Sequence, residues 1–226
     1  MDPGADGVFR IAHLSDLHCG GPYFEPNLLE RAISEINDAR PDIVVCSGDL
    51  TTSGFKHEYL LARSYLDRIE CESLVVVPGN HDSRNVGYVH FEELFGSRSS
   101  VLTKGGVTVV AIDSTEPDLD HGQIGRGRYT WIEESFAAAP ADLRVFVLHH
   151  HLLPVPGTGR ERNVVYDAGD ALECLQRAGV QLVLSGHKHV PYAWRLENLF
   201  VVNTGTVSSL RLRGNTRPCY NMVEIS

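Results

Sequence analysis

Short apolar runs alternate with segments of helical period along nearly the whole chain, the pattern of a layered α/β protein. The runs at 9–14, 43–46, 74–77, 107–112, 145–148, 182–184, 200–202 and 222–225 are predicted strands. Between the first two, Leu28, Leu29, Ala32, Ile33 and Ile36 share one helical face, with Pro26 near the start and Pro41 beyond the end. Ala171, Leu172, Leu175 and Ala178 repeat that pattern, and Gly179 stands where a helix-terminating glycine belongs. The stretches 114–128 and 154–169, rich in Gly, Pro and charge, are read as long loops, of the kind that often carries function. No repeat or linker interrupts the alternation, and 226 residues suffice for one core, so 1–226 is expected to form a single domain.

The polar residues that follow the runs carry the chemistry. After the first comes Asp16-Leu17-His18, after the second Gly48-Asp49, and after the third Gly79-Asn80-His81-Asp82. The fifth is followed by His149-His150-His151 and the sixth by Gly186-His187-Lys188-His189. Ligands of open α/β sheets bind beyond the carboxyl ends of strands, so these groups are expected to converge. Taken singly, each is ordinary turn chemistry; together they assemble carboxylate, imidazole and amide at successive strand ends.

Composition narrows the partners. The formal charge is −9, which argues against a general binder of long nucleic acids. The five cysteines, Cys19, Cys46, Cys71, Cys174 and Cys219, are scattered without a C-x-x-C pair, as in a reduced chain. No apolar run approaches the roughly 20 residues of a membrane helix, and the first ten residues hold no apolar signal core. A cytoplasmic location is expected.

Imidazole, carboxylate and amide oxygen, with no thiolate required, describe a site for Mn, Fe, Zn or Co rather than a structural zinc knot. Cys19, beside His18, is read as a packing residue. The seven candidates exceed the three or four ligands that one catalytic zinc takes. They suit two divalent ions sharing a carboxylate roughly 3.5–4 Å apart, the arrangement that hydrolyses phosphate esters.

In order along residues 16–189, these motifs resemble those of the calcineurin-like metallophosphoesterases. His121-Gly122-Gln123-Ile124-Gly125 ahead of Trp131, Asn203-Thr204-Gly205-Thr206 and Tyr220-Asn221 resemble the class III cyclic-nucleotide phosphodiesterase branch. The resemblance implies a four-layer α-β-β-α sandwich with two mixed sheets and a dinuclear metal site at the C-terminal strand ends. By matched position, Asp16, His18 and His189 hold one metal, Asn80, His149 and His187 the other, and Asp49 bridges them. Relatives use the first histidine of the fifth-strand motif, which selects His149 over His150; His151 and Leu152 stand where prolines are common. A water shared by the ions becomes hydroxide for in-line attack, and His81 gives the leaving alkoxide its proton. Asp82 either orients His81 or fixes its turn.

The protein serine/threonine phosphatases carry Gly-Asp-x-Val-Asp-Arg-Gly and Gly-Asn-His-Glu. Here the chain reads Gly48-Asp49-Leu50-Thr51-Thr52-Ser53-Gly54 and Gly79-Asn80-His81-Asp82. The expected substrate is therefore a small phosphodiester, such as a cyclic nucleotide or glycerophosphodiester. Arg84, and Arg160, Arg162 and Asn163 on the second long loop, are the candidate phosphate contacts. The alternatives are a broad phosphomonoesterase or nucleotide phosphatase, and a non-catalytic scaffold of the same fold.

Overall fold

The computed structural model describes residues 7–139, 141–158 and 163–225. Its strands are β1 (Phe9–Leu14), β2 (Ile43–Cys46), β3 (Leu74–Val76), β4 (Ser100–Lys104), β5 (Val107–Ala111), β6 (Leu143–Val147), β7 (Leu182–Ser185), β8 (Tyr192–Leu196), β9 (Leu199–Asn203) and β10 (Asn221–Ile225). The helices are α1 (Pro26–Ala39), α2 (Lys56–Leu66), α3 (Gly87–Phe95), α4 (Tyr129–Ala138) and α5 (Ala168–Arg177).

The strands form two mixed sheets, ordered β10-β1-β2-β3 and β4-β5-β6-β7-β9-β8. In the first, β1, β2 and β3 run parallel and β10 pairs antiparallel with β1. In the second, β5, β6, β7 and β9 are parallel, with β4 and β8 antiparallel at the two edges. Alternate side chains leave opposite faces of a strand. Ile11, Ile43 and Val45 of the smaller sheet therefore meet Val109, Val145 and Val147 of the larger in one buried cluster. Their neighbours Ala12, Leu14 and Val44 face Leu29, Ile33 and Ile36 of α1 and Tyr59 of α2. Val110, Phe146 and Val183 face Ile132 and Phe136 of α4 and Leu175 of α5. Three apolar interfaces make the four expected layers, and strands buried on both faces explain the continuous apolar runs.

The helix boundaries follow local chemistry. Pro26 occupies the first turn of α1, where its missing N–H is no loss, and Arg40 ends the helix in a left-handed conformation. Past α5, Gly179 has φ +66°; its N–H donates to the Gln176 carbonyl and that of Val180 to the Leu175 carbonyl. The strands that the apolar pattern does not predict, β4 and β8, are sheet edges whose side chains are half-exposed or exposed. An edge strand has no need of a continuous apolar run. The first long loop contains one 3-10 turn, Arg126–Arg128. Arg160 and Arg162 lie outside the described residues.

The fold also buries histidines away from the candidate ligands. His13 on β1 has Nε2 2.9 Å from Ser47 Oγ, and burial lowers its pKa from the usual 6.5 to about 3. Burial likewise lowers His151 to about 4. Because these folded values lie below the unfolded one, the unfolded chain takes up protons first as the pH falls. The stability that each neutral ring supports is complete above about pH 6.5 and declines toward pH 3–4, each group losing about 1.4 kcal/mol per pH unit. The urea midpoint of metal-free protein is expected to fall between pH 6.5 and 4 as these neutral rings come under pressure to take up protons. His13→Gln should retain a larger share of its pH 7.5 stability at pH 5 than the parent; equal losses in both proteins would contradict this assignment.

Candidate metal centre

Loops from both sheets meet at the C-terminal ends of the parallel strands. Asp16 and His18 follow β1, Asp49 follows β2, and His187 and His189 follow β7; all five have positive φ, between 52° and 82°. Non-glycine residues in that region are strained by about 1–2 kcal/mol each. The surroundings fix them there. The N–H groups of Asp16 and His18 donate to the Gly48 and Asp49 carbonyls at 2.9 Å, locking the first two loops side by side. Two further bonds cross between the sheets: His187 N–H donates to Asp16 Oδ2 at 3.0 Å, and His149 Nδ1 donates to the Ser47 carbonyl at 2.8 Å. The motif glycines permit this approach, since a Cβ at Gly79 would overlap the Asp49 carboxylate and one at Gly186 would overlap Ser15 and Asp16.

The donor atoms fall into two sets around Asp49. On one side, His18 Nε2 lies 3.7 Å from Asp49 Oδ2 and 2.9 Å from His189 Nε2, and His189 Nε2 is 3.3 Å from Asp16 Oδ1. On the other, His149 Nε2 lies 3.4 Å from Asp49 Oδ1 and 3.2 Å from Asn80 Oδ1. His187 Nδ1 completes that set, 2.9 Å from Asn80 Oδ1 and 3.3 Å from His149 Nε2. Backbone carbonyls select the tautomers: Ser47 takes the Nδ1 proton of His149, and Arg211 that of His189 at 2.6 Å. Each ring therefore turns Nε2 inward, bare whenever the ring is neutral.

This donor chemistry fits cations. Asp16 Oδ1 is buried and accepts no hydrogen bond, while imidazole nitrogens stand only 2.9 and 3.3 Å apart. A proton relieves one such contact at a time; a divalent ion relieves a whole set. The electrostatics agree. Burial alone would raise the Asp49 carboxyl, yet His149, His81 and His18 hold it well below the ordinary value. Burial opposes protonation of His149, but the Asp49 and Asp16 carboxylates push its pKa up to about 9. For His187, burial and neighbouring imidazoles drive it well below 6.5.

The structure thus brings Asp16, His18, Asp49, Asn80, His149, His187 and His189 together. His150 and His151 are buried but turned elsewhere, His150 Nδ1 to Ser114 Oγ at 2.9 Å and His151 Nε2 to the Gly186 carbonyl at 2.8 Å. His81 borders the same space, its Nδ1 2.6 Å from the Thr52 carbonyl and its ring edge-on to His18 with centroids 4.8 Å apart. Asp82 does not touch the His81 ring. Its carboxylate accepts the N–H groups of Leu50, Thr51 and Gly79 and the Thr51 hydroxyl, so it fixes the turn. Cys19 is buried in the core, and burial pushes its thiol pKa up, as a packing role requires.

Above the donors opens a cleft of about 330 Å³ lined by His18, Asn80, His81, Arg84, Asp120 and His187, and by Lys188, His189, Arg211, Leu212 and Arg213. Arg84 lines it, paired through Nη2 with Asp120 Oδ1 at 2.5 Å. Asn163 stands apart from the described cleft lining, its amide donating to the Thr158 carbonyl at 3.0 Å. Residues that the sequence reading missed are Asp120, Lys188, Arg211 and Arg213. Lys188 was legible from its place between His187 and His189. The two arginines lie on a segment without motif, and the hydrogen bond from His189 to Arg211 brings it in.

Known proteins resemble this chain in sequence and in fold. A Rhodococcus erythropolis protein named as a probable cyclic nucleotide phosphodiesterase is 25% identical over 197 residues, 79% of this chain and 64% of that protein. This chain thus spans less than two thirds of that relative. One from Vesicomyosocius okutanii, also named as a probable cyclic nucleotide phosphodiesterase, is 22% identical, with 94% of this chain and 92% of that one covered. The crystal structure of a dimetal phosphatase from Danio rerio superposes with a TM-score of 0.75 at 12% identity, covering 95% of this chain and 91% of that one, which shows a common fold. The sequence profile of calcineurin-like phosphoesterases matches residues 9–191, from β1 through the last histidine of the site. By that match, the chain belongs to the calcineurin-like phosphoesterase family.

Proposed function

We propose that residues 1–226 act as one metallophosphoesterase domain that hydrolyses a small phosphodiester, a cyclic nucleotide or glycerophosphodiester among the candidates. The observation that carries this reading is Asp49, whose Oδ2 faces His18 and Oδ1 faces His149. In this reading it would be shared between two divalent ions, drawn from Mn, Fe, Zn and Co. Asp16, His18 and His189 would hold one, and Asn80, His149 and His187 the other. Such ions supply Lewis acidity toward water and toward the phosphoryl oxygens.

The remaining work belongs to the chain's own side chains. Hydrolysis joins a water oxygen to phosphorus and breaks the bond to the departing alkoxide, which needs a proton. His81 provides it: the Thr52 carbonyl holds Nδ1, which leaves Nε2 to carry the transferred proton. Asp120 Oδ1 also accepts from the Asn80 amide at 3.2 Å, which turns Asn80 Oδ1 toward His149 and His187. Arg84 stands over the same cleft as a fork donor for phosphate. The cleft volume suits a metabolite, and the charge of −9 disfavours long nucleic acids as partners. Among the described residues no helix is long and apolar enough to cross a membrane. Free buried cysteines suit a reducing compartment, so the reading places the protein in the cytoplasm.

Three outcomes test this. Mn-loaded protein should hydrolyse bis(p-nitrophenyl) phosphate faster than p-nitrophenyl phosphate, and the opposite order would favour the monoesterase alternative. His81→Ala should lower kcat by about 10²–10⁴ on a diester with an alkyl leaving group and much less where p-nitrophenolate departs, since that anion leaves without a proton. Equal losses on both substrates would remove the proton-donor role. Metal analysis after dialysis should show Asp49→Asn losing occupancy of both ions, and Asn80→Ala mainly one; full occupancy in Asp49→Asn would exclude a bridging carboxylate.

A further inference from the structure

The cleft holds more positive charge than a simple diester uses. A phosphodiester bears one negative charge, and one cation of the rim, Arg84, is already paired with Asp120. Lys188, Arg211 and Arg213 line the same space. Among the described residues, no carboxylate pairs with any of these three side chains.

The wall that bears them is fixed. Lys188 lies between two candidate ligands, and its N–H donates to the Gly186 carbonyl at 3.2 Å. The Arg211 carbonyl accepts from His189 Nδ1, and its N–H donates to Ser209 Oγ at 3.2 Å. Leu210 N–H reaches the Tyr23 carbonyl at 2.8 Å, anchoring the segment to the loop after β1. Like charges gathered on one wall repel one another unless an anion lies between them.

We infer that Lys188, Arg211 and Arg213 form a second anion subsite, and that the substrate is a phosphodiester carrying a further phosphate group that is not cleaved. This rests on the phosphodiesterase reading for the scissile group alone. A terminal phosphate bears about −1.5 to −2 charge near neutral pH, and planar guanidinium forks match its oxygens. The two sites divide the labour. Candidate metal ligands and Arg84 serve the reacting phosphorus, while the outer cations hold the second phosphate and set which substrates enter in register.

Titration calorimetry with adenosine 3′,5′-bisphosphate and adenosine 5′-monophosphate as probes tests the subsite without turnover. The parent protein should bind the bisphosphate about tenfold or more tightly, a gain that one or two charge-assisted hydrogen bonds supply. The preference should persist after EDTA treatment, because the subsite lies on the chain's own residues. It should collapse to about one in the Lys188→Gln/Arg211→Gln/Arg213→Gln variant and shrink in Arg211→Gln/Arg213→Gln, whose changes at exposed positions spare the fold. Arg217→Gln, an exposed arginine outside the cleft lining, should keep the full preference. Equal binding of the two probes by the parent, or an equal loss in Arg217→Gln, would overturn the proposal. Failure of the diesterase reading is distinguishable, since it shows as absent hydrolysis of bis(p-nitrophenyl) phosphate with the binding preference intact.

Discussion

Everything at the site depends on two separate sheets holding their strand ends in register. One residue of slip along a strand is about 3.3 Å, as long as the donor contacts themselves; His149 Nε2 to Asp49 Oδ1 is 3.4 Å across the sheets. The apolar interface of Ile11, Ile43, Val45, Val109, Val145 and Val147 supplies the grip. Each such side chain contributes about 1.5–3 kcal/mol on burial, and none has a polar group that would favour another register. At the site end, the bonds from His149 to Ser47 and from His187 to Asp16 then set the final alignment.

The same alignment creates a cost that the apolar layers offset. Asp16, Asp49, Asn80, His149, His187 and His189 are buried together, and burial of charged or unpaired polar groups is unfavourable by several kcal/mol. Carbonyl acceptors meet part of it by fixing the ring tautomers of His149 and His189. Asp82 meets another part, binding three backbone N–H groups that otherwise point into the interior. Asp16 Oδ1 stays unmet, 3.3 Å from His189 Nε2 in the first donor set.

The sequence was informative where one local force dominates. Strands buried on both faces read as apolar runs, α1 and α5 read from their periodicity and terminal Pro or Gly, and ligand-type side chains stood beside motif glycines. It was silent where position comes from distant partners. The edge strands β4 and β8 pack on one neighbouring strand and carry mixed side chains. Arg211 and Arg213 reach the cleft through a bond to His189 from 22 residues away. Asn163 looked like a cleft residue on a charged loop, but an amide can cap a nearby carbonyl as readily as it binds phosphate, and Thr158 claims it. The triple histidine was ambiguous by letter alone; beyond the end of β6 the rings point apart, His149 toward Asp49 and His150 toward Ser114.

The left-handed backbone at Asp16, His18, Asp49, His187 and His189 sets folding and chemistry against each other at the same positions. Glycine is the residue that such a backbone prefers, and glycine brings no donor atom. Random change at these sites is therefore pulled toward a more relaxed chain with an emptier centre. A member of this fold that abandoned its chemistry would have a stability incentive to drift there, so carboxylate and imidazole at strained φ record a demand that the fold itself does not make.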